Sequence, residues 1–357
     1  MTSDLKLLSS YEGPALSTPN RVVMAPMTRN RAGESRVANP MMATYYAQRA
    51  TAGLLISESV DVSPEAIGYP GTPGLYSAEM VAGWKQVVDA VRDAQDEPAP
   101  FFCQLFHTGR VSHTSLRADG TPGHAPSAIQ ADVQLYTPVG MVQASVPKAM
   151  TGEDITRTIG HYVAAAEGAV AAGFDGVELN AGNGYLLHQF LADGTNQRTD
   201  GYGGSVDGRL RFVLEVIDAV SEAIGPDKVA VRVSPVNTTN GVSDSDPHAT
   251  FTALAEALDG RGLAYLHVIE SCDSATVTPA IREAFGGTLI VNDGYDCDRG
   301  EHAITTGLAD LVSYGRMFLA NPDLPRRFAE GASLNEPDAA TFYGGAEPGY
   351  IDYPALD

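Results

Sequence analysis

Cysteine is scarce in this sequence, with three residues among 357, at positions 103, 272 and 297. The number is odd and no pair has the C-x-x-C spacing, which excludes a disulfide framework and a cysteine pair that binds metal or exchanges electrons. We therefore expect Cys103, Cys272 and Cys297 to be reduced thiols that mostly pack inside the protein.

Long apolar runs are also missing. No stretch approaches the roughly 18 residues that a membrane-spanning helix needs. The N-terminal segment MTSDLKLL carries an acid where a secretory signal would carry positive charge. The sequence therefore predicts a cytoplasmic protein with no membrane partner.

Basic residues are outnumbered, since 23 Lys and Arg against 44 Asp and Glu give a formal net charge of −21. Such a surface repels phosphates at long range, which excludes nucleic acid as a partner. Any phosphate group that binds must be held by a local arrangement of donors. The sequence also lacks a Walker loop or a G-x-G-x-x-G after a strand, a G-x-S-x-G elbow and an H-x-x-x-H pair on a predicted helix. A Rossmann domain, a serine hydrolase and a metal site are therefore unsupported.

What the sequence does contain is a regular alternation of apolar runs, polar loops and helical periodicity, which is typical of β/α units around a parallel sheet. The predicted strands are 20–27, 53–59, 101–107, 176–180, 229–235, 265–270, 288–293 and 311–316, and the predicted helices include 82–94, 154–173, 209–224, 249–260 and 299–307. No change in composition marks a linker. We predict an α/β fold, a TIM (β/α)8 barrel in which residues 1–357 form a single domain.

Two connections of this barrel are unusually long. Residues 60–81 and 108–152 are rich in Gly, Pro, Ser and Thr, and each follows the carboxyl end of a predicted strand. Long loops in a compact barrel are usually functional, and this end is where barrels carry their chemistry. We expect 108–152, after the third strand, to cap the substrate site.

Polar residues and two glycines recur at or just beyond the ends of the predicted strands. They are Thr28, Glu58, Ser59, Gln104, Asn180, Asn183, Arg232, Glu270, Asp293, Gly294, Gly315 and Arg316. The carboxyl ends of barrel strands converge, so these residues should ring one pocket. Loops after the seventh and eighth strands commonly bind phosphate through backbone N–H groups. Gly294 and Gly315 would let the backbone approach, and Arg316 would add a charged hydrogen bond.

Several motifs of the sequence are long enough to be compared with known families. They are NRVVMAPMTRNRA (20–32), YYAQRATAGLLISES (45–59), GVELNAGNGYLLHQFLADGTNQRTDGYGGS (176–205), AVRVSP (230–235), GRMFLANPDLPRR (315–327) and TFYGGAEPGYIDYP (341–354). These motifs closely resemble those of the old yellow enzyme family of FMN-dependent ene-reductases. The resemblance extends from about residue 4 to the C-terminus. It implies a barrel that binds FMN, with NADPH or NADH as hydride donor and a small α,β-unsaturated molecule as substrate.

The resemblance also implies which residues bind FMN. Pro26, Met27 and Thr28 would lie against the isoalloxazine, Gln104 would reach its pyrimidine edge and Arg232 would stand beside N1 and C2=O. A fixed cation there stabilises the negative charge of reduced flavin. Gly294, Gly315 and Arg316 fall on the phosphate positions. Two residues depart from the family pattern, because Ser59 replaces a Gly or Ala near the ring and Asp293 replaces a small residue near the phosphate.

For the substrate, Asn180 and Asn183 match the pair that binds its carbonyl or nitro oxygen, and Tyr185 matches the tyrosine that protonates its α-carbon. The first member of that pair is usually histidine; an asparagine still donates but cannot become cationic. Tyr69, Phe106 and Tyr343 match aromatic positions that line the substrate cavity, although each is also compatible with core packing.

The leading hypothesis is therefore an NAD(P)H-dependent ene-reductase that exists as a monomer or homodimer. A second hypothesis keeps the flavin but makes the reaction a redox-neutral isomerisation or a desaturation, because Asn180 and the unusual segment 126–148 indicate a specialised cavity. A third is a flavin-free barrel that serves as a binding or scaffold protein, suggested by Asp293 and Ser59.

Overall fold

A computed structural model describes residues 5–357 and contains a closed barrel of eight parallel strands. The strands are Val22–Met24, Leu54–Asp61, Phe101–Phe106, Gly176–Ala181, Val229–Val233, Tyr265–Ile269, Leu289–Asn292 and Leu311–Tyr314. Each pairs with its neighbours in chain order, and the last pairs with the first. The predicted barrel and all eight predicted strands are confirmed. That the whole chain is a single domain stays a prediction.

The interior of the barrel is apolar in its amino-terminal half and polar near its carboxyl-terminal end. In its amino-terminal half the interior is apolar and is packed by residues that include Ile56, Phe102, Tyr265 and Ile290. A short antiparallel hairpin, in which Tyr11 pairs with Thr18, covers this end, and its Leu16 joins the same cluster. Because the amino-terminal end is closed in this way, the polar interior near the carboxyl end is left for the site.

Helices surround the barrel. The ten α-helices among the described residues are Pro40–Ala47, Ala78–Ala94, Gly152–Ala172, Leu186–Leu191, Val206–Ile224, Pro247–Leu258, Thr278–Ala284, Cys297–Thr305, Arg316–Ala320 and Leu324–Glu330. The five predicted helices are confirmed, with starts that differ by two to four residues. The starts differ because the caps, and not the first apolar residue, begin each helix: Ser77 accepts from the Met80 N–H, and Thr151 and Asp154 form a reciprocal capping box.

The segment after the third strand does cap the barrel, and it contains more regular structure than a loop. Gln134–Thr137 and Gly140–Gln143 form an antiparallel hairpin, and His124–Ala125 pairs in parallel with Lys148–Ala149. A small apolar cluster of Val111, Ala131, Leu135 and Ala144 packs against Tyr69 and Tyr185. The cap is thereby attached directly to side chains of the predicted substrate site.

The C-terminal segment is anchored beside the same end of the barrel. The Arg29 Nη2 donates to the Gly349 carbonyl oxygen at 2.7 Å, and the rings of Tyr45 and Tyr350 stack with centroids 4.2 Å apart. The Gly344 N–H donates to the Arg29 carbonyl oxygen at 2.8 Å. These contacts bring Tyr343 to the cavity. Among residues 5–357, no helix is both long enough and apolar enough to cross a bilayer.

Candidate active site

One cavity of about 1090 Å³ opens at the carboxyl ends of the barrel strands. Nearly all of the predicted site residues line it: Pro26, Met27, Thr28, Ser59, Tyr69, Gln104, Asn180, Asn183, Tyr185, Arg232, Asp293, Gly294, Gly315, Arg316 and Tyr343. They come from every part of the sequence, so the closure of the barrel is what brings them together.

Three predicted residues lie outside this wall. Phe106 is completely buried, and its ring packs edge-to-face against Tyr185 with centroids 5.3 Å apart. Glu58 and Glu270, which were expected in the ring of polar strand ends, do not line the cavity either. Glu58 accepts from backbone N–H groups of the loop after the first strand, and Glu270 accepts from the backbone N–H groups of Thr276 and Thr278. Those two expectations were wrong because each carboxylate binds backbone N–H groups of a loop instead of facing the cavity.

The wall of the cavity also contains residues that were not predicted from the sequence. The additional residues include Asn30, Gln134, Tyr136, Met141, Asn292, Tyr295, Ser313 and Phe342. Tyr136 and Met141 belong to the hairpin of the cap and are more than half exposed. Asn292 is the polar residue at the end of the strand LIVN, and its place at a strand end is the sequence signal that could have identified it as a site residue.

Arg232 is a buried side chain with a donor that could bind a ligand. It is 5% exposed, its Nη2 donates to the Asn292 Oδ1 at 3.2 Å, and its buried Nε has no hydrogen-bond partner within the described chain. A buried donor without a partner costs free energy, so such donors are normally satisfied. A ligand acceptor such as a flavin N1 or C2=O would satisfy Nε. The residues present therefore fit FMN at this edge.

The departure at Ser59 has a definite structural result. The Ser59 Oγ donates to the Gln104 Oε1 at 2.5 Å, and the Asn180 Nδ2 lies 3.4 Å from the same oxygen. Ser59 is 5% exposed. The hydroxyl therefore joins the polar network that orients Gln104, and it leaves no unpaired group against a bound ring.

The phosphate positions combine permissive backbone with an exposed arginine, Arg316. Asp293 has φ +96° and Gly294 has φ +79°, a region that favours glycine, so Asp293 is under backbone strain. Asp293 is exposed. Its backbone carbonyl oxygen accepts from the Cys272 N–H at 3.1 Å. Arg316 is exposed and forms no ion pair within residues 5–357. A Cβ on Gly315 would meet the protein only at Met27, 3.7 Å away, so its open side is the cavity.

The two asparagines are held by different contacts. The Asn180 Oδ1 accepts from the Gly182 N–H at 3.1 Å. Asn183 has φ +54°, its N–H donates to the Ser234 Oγ at 2.7 Å, and its Oδ1 accepts from the Asn237 Nδ2 at 3.2 Å. With Oδ1 engaged in this way, the Nδ2 of Asn183 is the group left to donate to a ligand.

Tyr185 presents a phenol hydroxyl in the wall of the cavity. Burial raises the pKa of Tyr185, and its hydroxyl donates to the Tyr69 hydroxyl at 3.3 Å. Burial also raises the pKa of Tyr69 well above its usual value. Both hydroxyls therefore keep their protons at neutral pH, and Phe106 fixes the ring of Tyr185 from the side.

Glu58 makes the loop beside Thr28 sensitive to pH. Burial raises the pKa of Glu58 from 4.5 to about 7, and its Oε2 accepts from the backbone N–H groups of Arg29 and Asn30 at 3.1 and 3.2 Å. A raised carboxyl pKa means that the folded state holds the proton more tightly. The stability that this group contributes is full below pH 4.5 and is lost as pH rises to about 7.

We therefore expect the parent protein to lose up to about 3 kcal/mol of unfolding free energy relative to Glu58→Gln between pH 4.5 and pH 7.5. The glutamine keeps the acceptor for both N–H groups and does not titrate. Urea unfolding of both proteins at several pH values measures the difference. A difference that stays constant over this range would show that Glu58 is ionised throughout.

The chain is similar in sequence to a known protein family and to enzymes within it. Residues 16–335 match the NADH:flavin oxidoreductase / NADH oxidase family. Putative 12-oxophytodienoate reductase 12 of Oryza sativa subsp. japonica is 44% identical over 99% of this chain and 89% of its own length. 12-Oxophytodienoate reductase 1 of the same rice is 43% identical, over 99% and 94%.

Solved structures agree with the sequence matches. Morphinone reductase has a TM-score of 0.94 and 44% identity, covering all of this chain and 98% of its own. A morphinone reductase with 45% identity was solved in complex with tetrahydroNAD. The old yellow enzyme homologue of Zymomonas mobilis has a TM-score of 0.95 and 39% identity, covering 98% of this chain and 100% of its own.

Proposed function

The chain belongs to the old yellow enzyme family of FMN-dependent NAD(P)H oxidoreductases, and from that premise we propose that it reduces the double bond of an enone, enal, maleimide or nitroalkene. FMN, when bound, supplies the hydride that it has taken from the nicotinamide cofactor. The rest of the chemistry falls to side chains of the chain itself.

The observation that carries the proposal is that two asparagine amides and a phenol share one cavity with a buried arginine. Asn180, Asn183 and Tyr185 line the same wall as Arg232, whose buried Nε lacks a partner in the described chain. This set supplies both needs of the reaction, which are a holder for the substrate oxygen and a donor for the proton. A binding or scaffold protein has no need of this combination.

The asparagine pair would bind and polarise the substrate. Amide donors from Asn180 and Asn183 hold its carbonyl or nitro oxygen, where negative charge collects as the β-carbon is attacked. Since Asn180 cannot become cationic, its contribution does not titrate near neutral pH. The amide pair therefore gives a binding step with little pH dependence of its own.

Tyr185 would deliver the proton. Its Oη–H protonates the α-carbon, and a raised pKa keeps that proton in place until charge develops on the substrate. The Tyr69 hydroxyl, 3.3 Å away, is placed to stabilise the phenolate that results. Water then returns the proton at the cavity mouth.

An anaerobic colour test separates this function from the alternatives. NADH or NADPH should bleach the yellow holoprotein, and cyclohexenone or N-methylmaleimide should restore its colour with a product two hydrogens heavier. A product of unchanged mass would favour a redox-neutral isomerase, for which the cap hairpin residues Tyr136 and Met141 at the cavity would provide the specialised pocket. Failure of every activated alkene to restore the colour would refute the proposal.

Phenol binding tests the oxygen site by itself. A phenolate resembles the substrate at the stage when negative charge has developed on its bound oxygen. Asn183→Ala should therefore weaken the binding of a phenol by about tenfold, because it removes one hydrogen bond to a charged group. The spectral change of the oxidised holoprotein on phenol titration gives the affinity. Asn237→Ala, which removes the partner of the Asn183 Oδ1 and the acceptor of the Thr239 N–H but leaves Asn183 itself, should have a smaller effect. Unchanged affinity in Asn183→Ala would remove Asn183 from the oxygen site.

A further inference from the structure

Inside the barrel, next to the cavity, lies a buried carboxylate that the proposed reaction does not use. Glu178 is in the fourth barrel strand and is 0% exposed. Its Oε1 accepts from the Gln104 Nε2 at 2.7 Å, and its Oε2 lies 2.8 Å from the His267 Nδ1. Glu178 and His267 do not line the cavity. Glu178 therefore does not touch a ligand in the cavity, and it can act on one only through the residues that it holds or through its charge.

The contacts of Glu178 favour its ionised form. Burial by itself raises the pKa of Glu178, but the hydrogen bonds from His267 and Gln104 and the positive charge of Arg232 lower it below its usual range. Burial lowers the pKa of His267, so the imidazole is neutral. Because a carboxylate can only accept, the His267 proton sits on Nδ1, and Nε2 accepts from the Ser313 Oγ at 2.8 Å. The charged groups of this cluster are therefore the Glu178 carboxylate and the Arg232 guanidinium.

The ionised carboxylate fixes the orientation of Gln104. Only the amide nitrogen of Gln104 can donate to Glu178, so its Oε1 must point the other way. There Ser59 donates to Oε1 at 2.5 Å, and the Asn180 Nδ2 lies 3.4 Å away. These contacts decide which face of the amide is presented to the cavity.

Glu178 also acts on Arg232 through charge. Burial lowers the pKa of the Arg232 guanidinium, and the negative charge of Glu178 opposes that shift. Charges inside a protein are screened far less than charges in water. A ligand that gains negative charge in this cavity is therefore attracted by Arg232 and, less strongly, repelled by Glu178.

We propose that Glu178 is a positioning residue for FMN, which orients the Gln104 amide, partly offsets the charge of Arg232 and thereby lowers the reduction potential of the bound flavin. The proposal rests on the proposed function in one respect, namely that Gln104 and Arg232 face the flavin ring. Reduction adds negative charge to the pyrimidine side of the ring, so a fixed carboxylate nearby favours the oxidised form.

Two variants separate charge from orientation. Glu178→Gln removes the charge and keeps the shape, so the ratio of the oxidised to the reduced FMN dissociation constant should rise about tenfold, which is about 30 mV upward in midpoint potential. Glu178→Asp keeps the charge but withdraws it from Gln104. This variant should weaken the binding of both oxidised and reduced FMN by about three- to tenfold and leave the midpoint potential unchanged. Anaerobic dithionite titration with a reference dye, together with FMN titration of the apoprotein, gives these quantities.

Asp154→Asn is the matched control, because it makes the same change in net charge at a buried residue outside the barrel. It should keep the parent potential. A folded, FMN-bound Glu178→Gln with the parent potential would overturn the proposal. If Glu178→Gln does not fold, Glu178→Asp decides, since parent affinity for oxidised FMN would exclude the positioning role. A parent protein that binds no FMN would refute the flavin site as a whole, a result distinct from loss of tuning.

Discussion

Tyr185→Phe is expected to slow the reoxidation of the reduced holoprotein by an activated alkene by about 10² to 10⁴, the range for loss of a positioned general acid. Only this half-reaction consumes the proton that the Tyr185 hydroxyl carries. Phenylalanine keeps the edge-to-face contact with Phe106, so the wall of the cavity should stay in place. Reduction of the flavin by NADH or NADPH should change less than severalfold.

Anaerobic stopped-flow absorbance measures the two half-reactions of this variant separately. Tyr69→Phe is the matched control, since it removes a hydroxyl 3.3 Å from that of Tyr185 and leaves the donor itself. Its effect on reoxidation should be much smaller. If Tyr185→Phe slows both half-reactions equally, Tyr185 binds ligands and does not act as the acid.

Arg232→Leu is expected to weaken FMN binding by at least about 30-fold, since it removes a buried, charged hydrogen bond worth roughly 2 kcal/mol or more. The expected partner is the pyrimidine edge of the flavin, which would occupy the free Arg232 Nε. The effect should be larger for reduced than for oxidised FMN, because the lost cation faces the negative charge of the reduced ring. Fluorescence titration of the apoprotein with FMN measures the affinity.

A second substitution distinguishes a lost contact with FMN from a general loss of stability in Arg232→Leu. Without Arg232, Glu178 is a buried carboxylate that has lost a cation, and such a charge is strongly destabilising. Adding Glu178→Gln should therefore restore much of the thermal stability and should not restore FMN affinity. Recovery of both would mean that Arg232 serves the barrel core alone.

The barrel could be predicted from the sequence because its buried strands begin with short apolar runs, such as LLI at 54–56 and FFC at 101–103. Leu54–Asp61 and Phe101–Phe106 are buried at every position, and each is followed by glycine- and proline-rich segments. The site followed from the same rule, since strand ends converge whatever their spacing in sequence. Motif resemblance then assigned roles to residues such as Tyr185 and Arg232, and those roles stay predictions.

The contacts that tune the site could not be predicted, because they join residues far apart in the sequence. Ser59 and Gln104 are 45 positions apart, and Glu178 and His267 are 89 apart. Their partnership depends on strand register and side-chain reach, neither of which a periodic pattern contains. Glu58 shows the same limit, because a carboxylate at a strand end can face either a cavity or a backbone loop.

A crystal structure of the oxidised protein with FMN is the most direct test of the proposed site. We expect an isoalloxazine whose pyrimidine edge lies within hydrogen-bond distance of the Arg232 Nε and of Gln104, with the phosphate at Gly294, Gly315 and Arg316. Tyr185 should face the exposed side of the ring. A flavin bound elsewhere, or an Arg232 Nε still without a ligand acceptor, would contradict it.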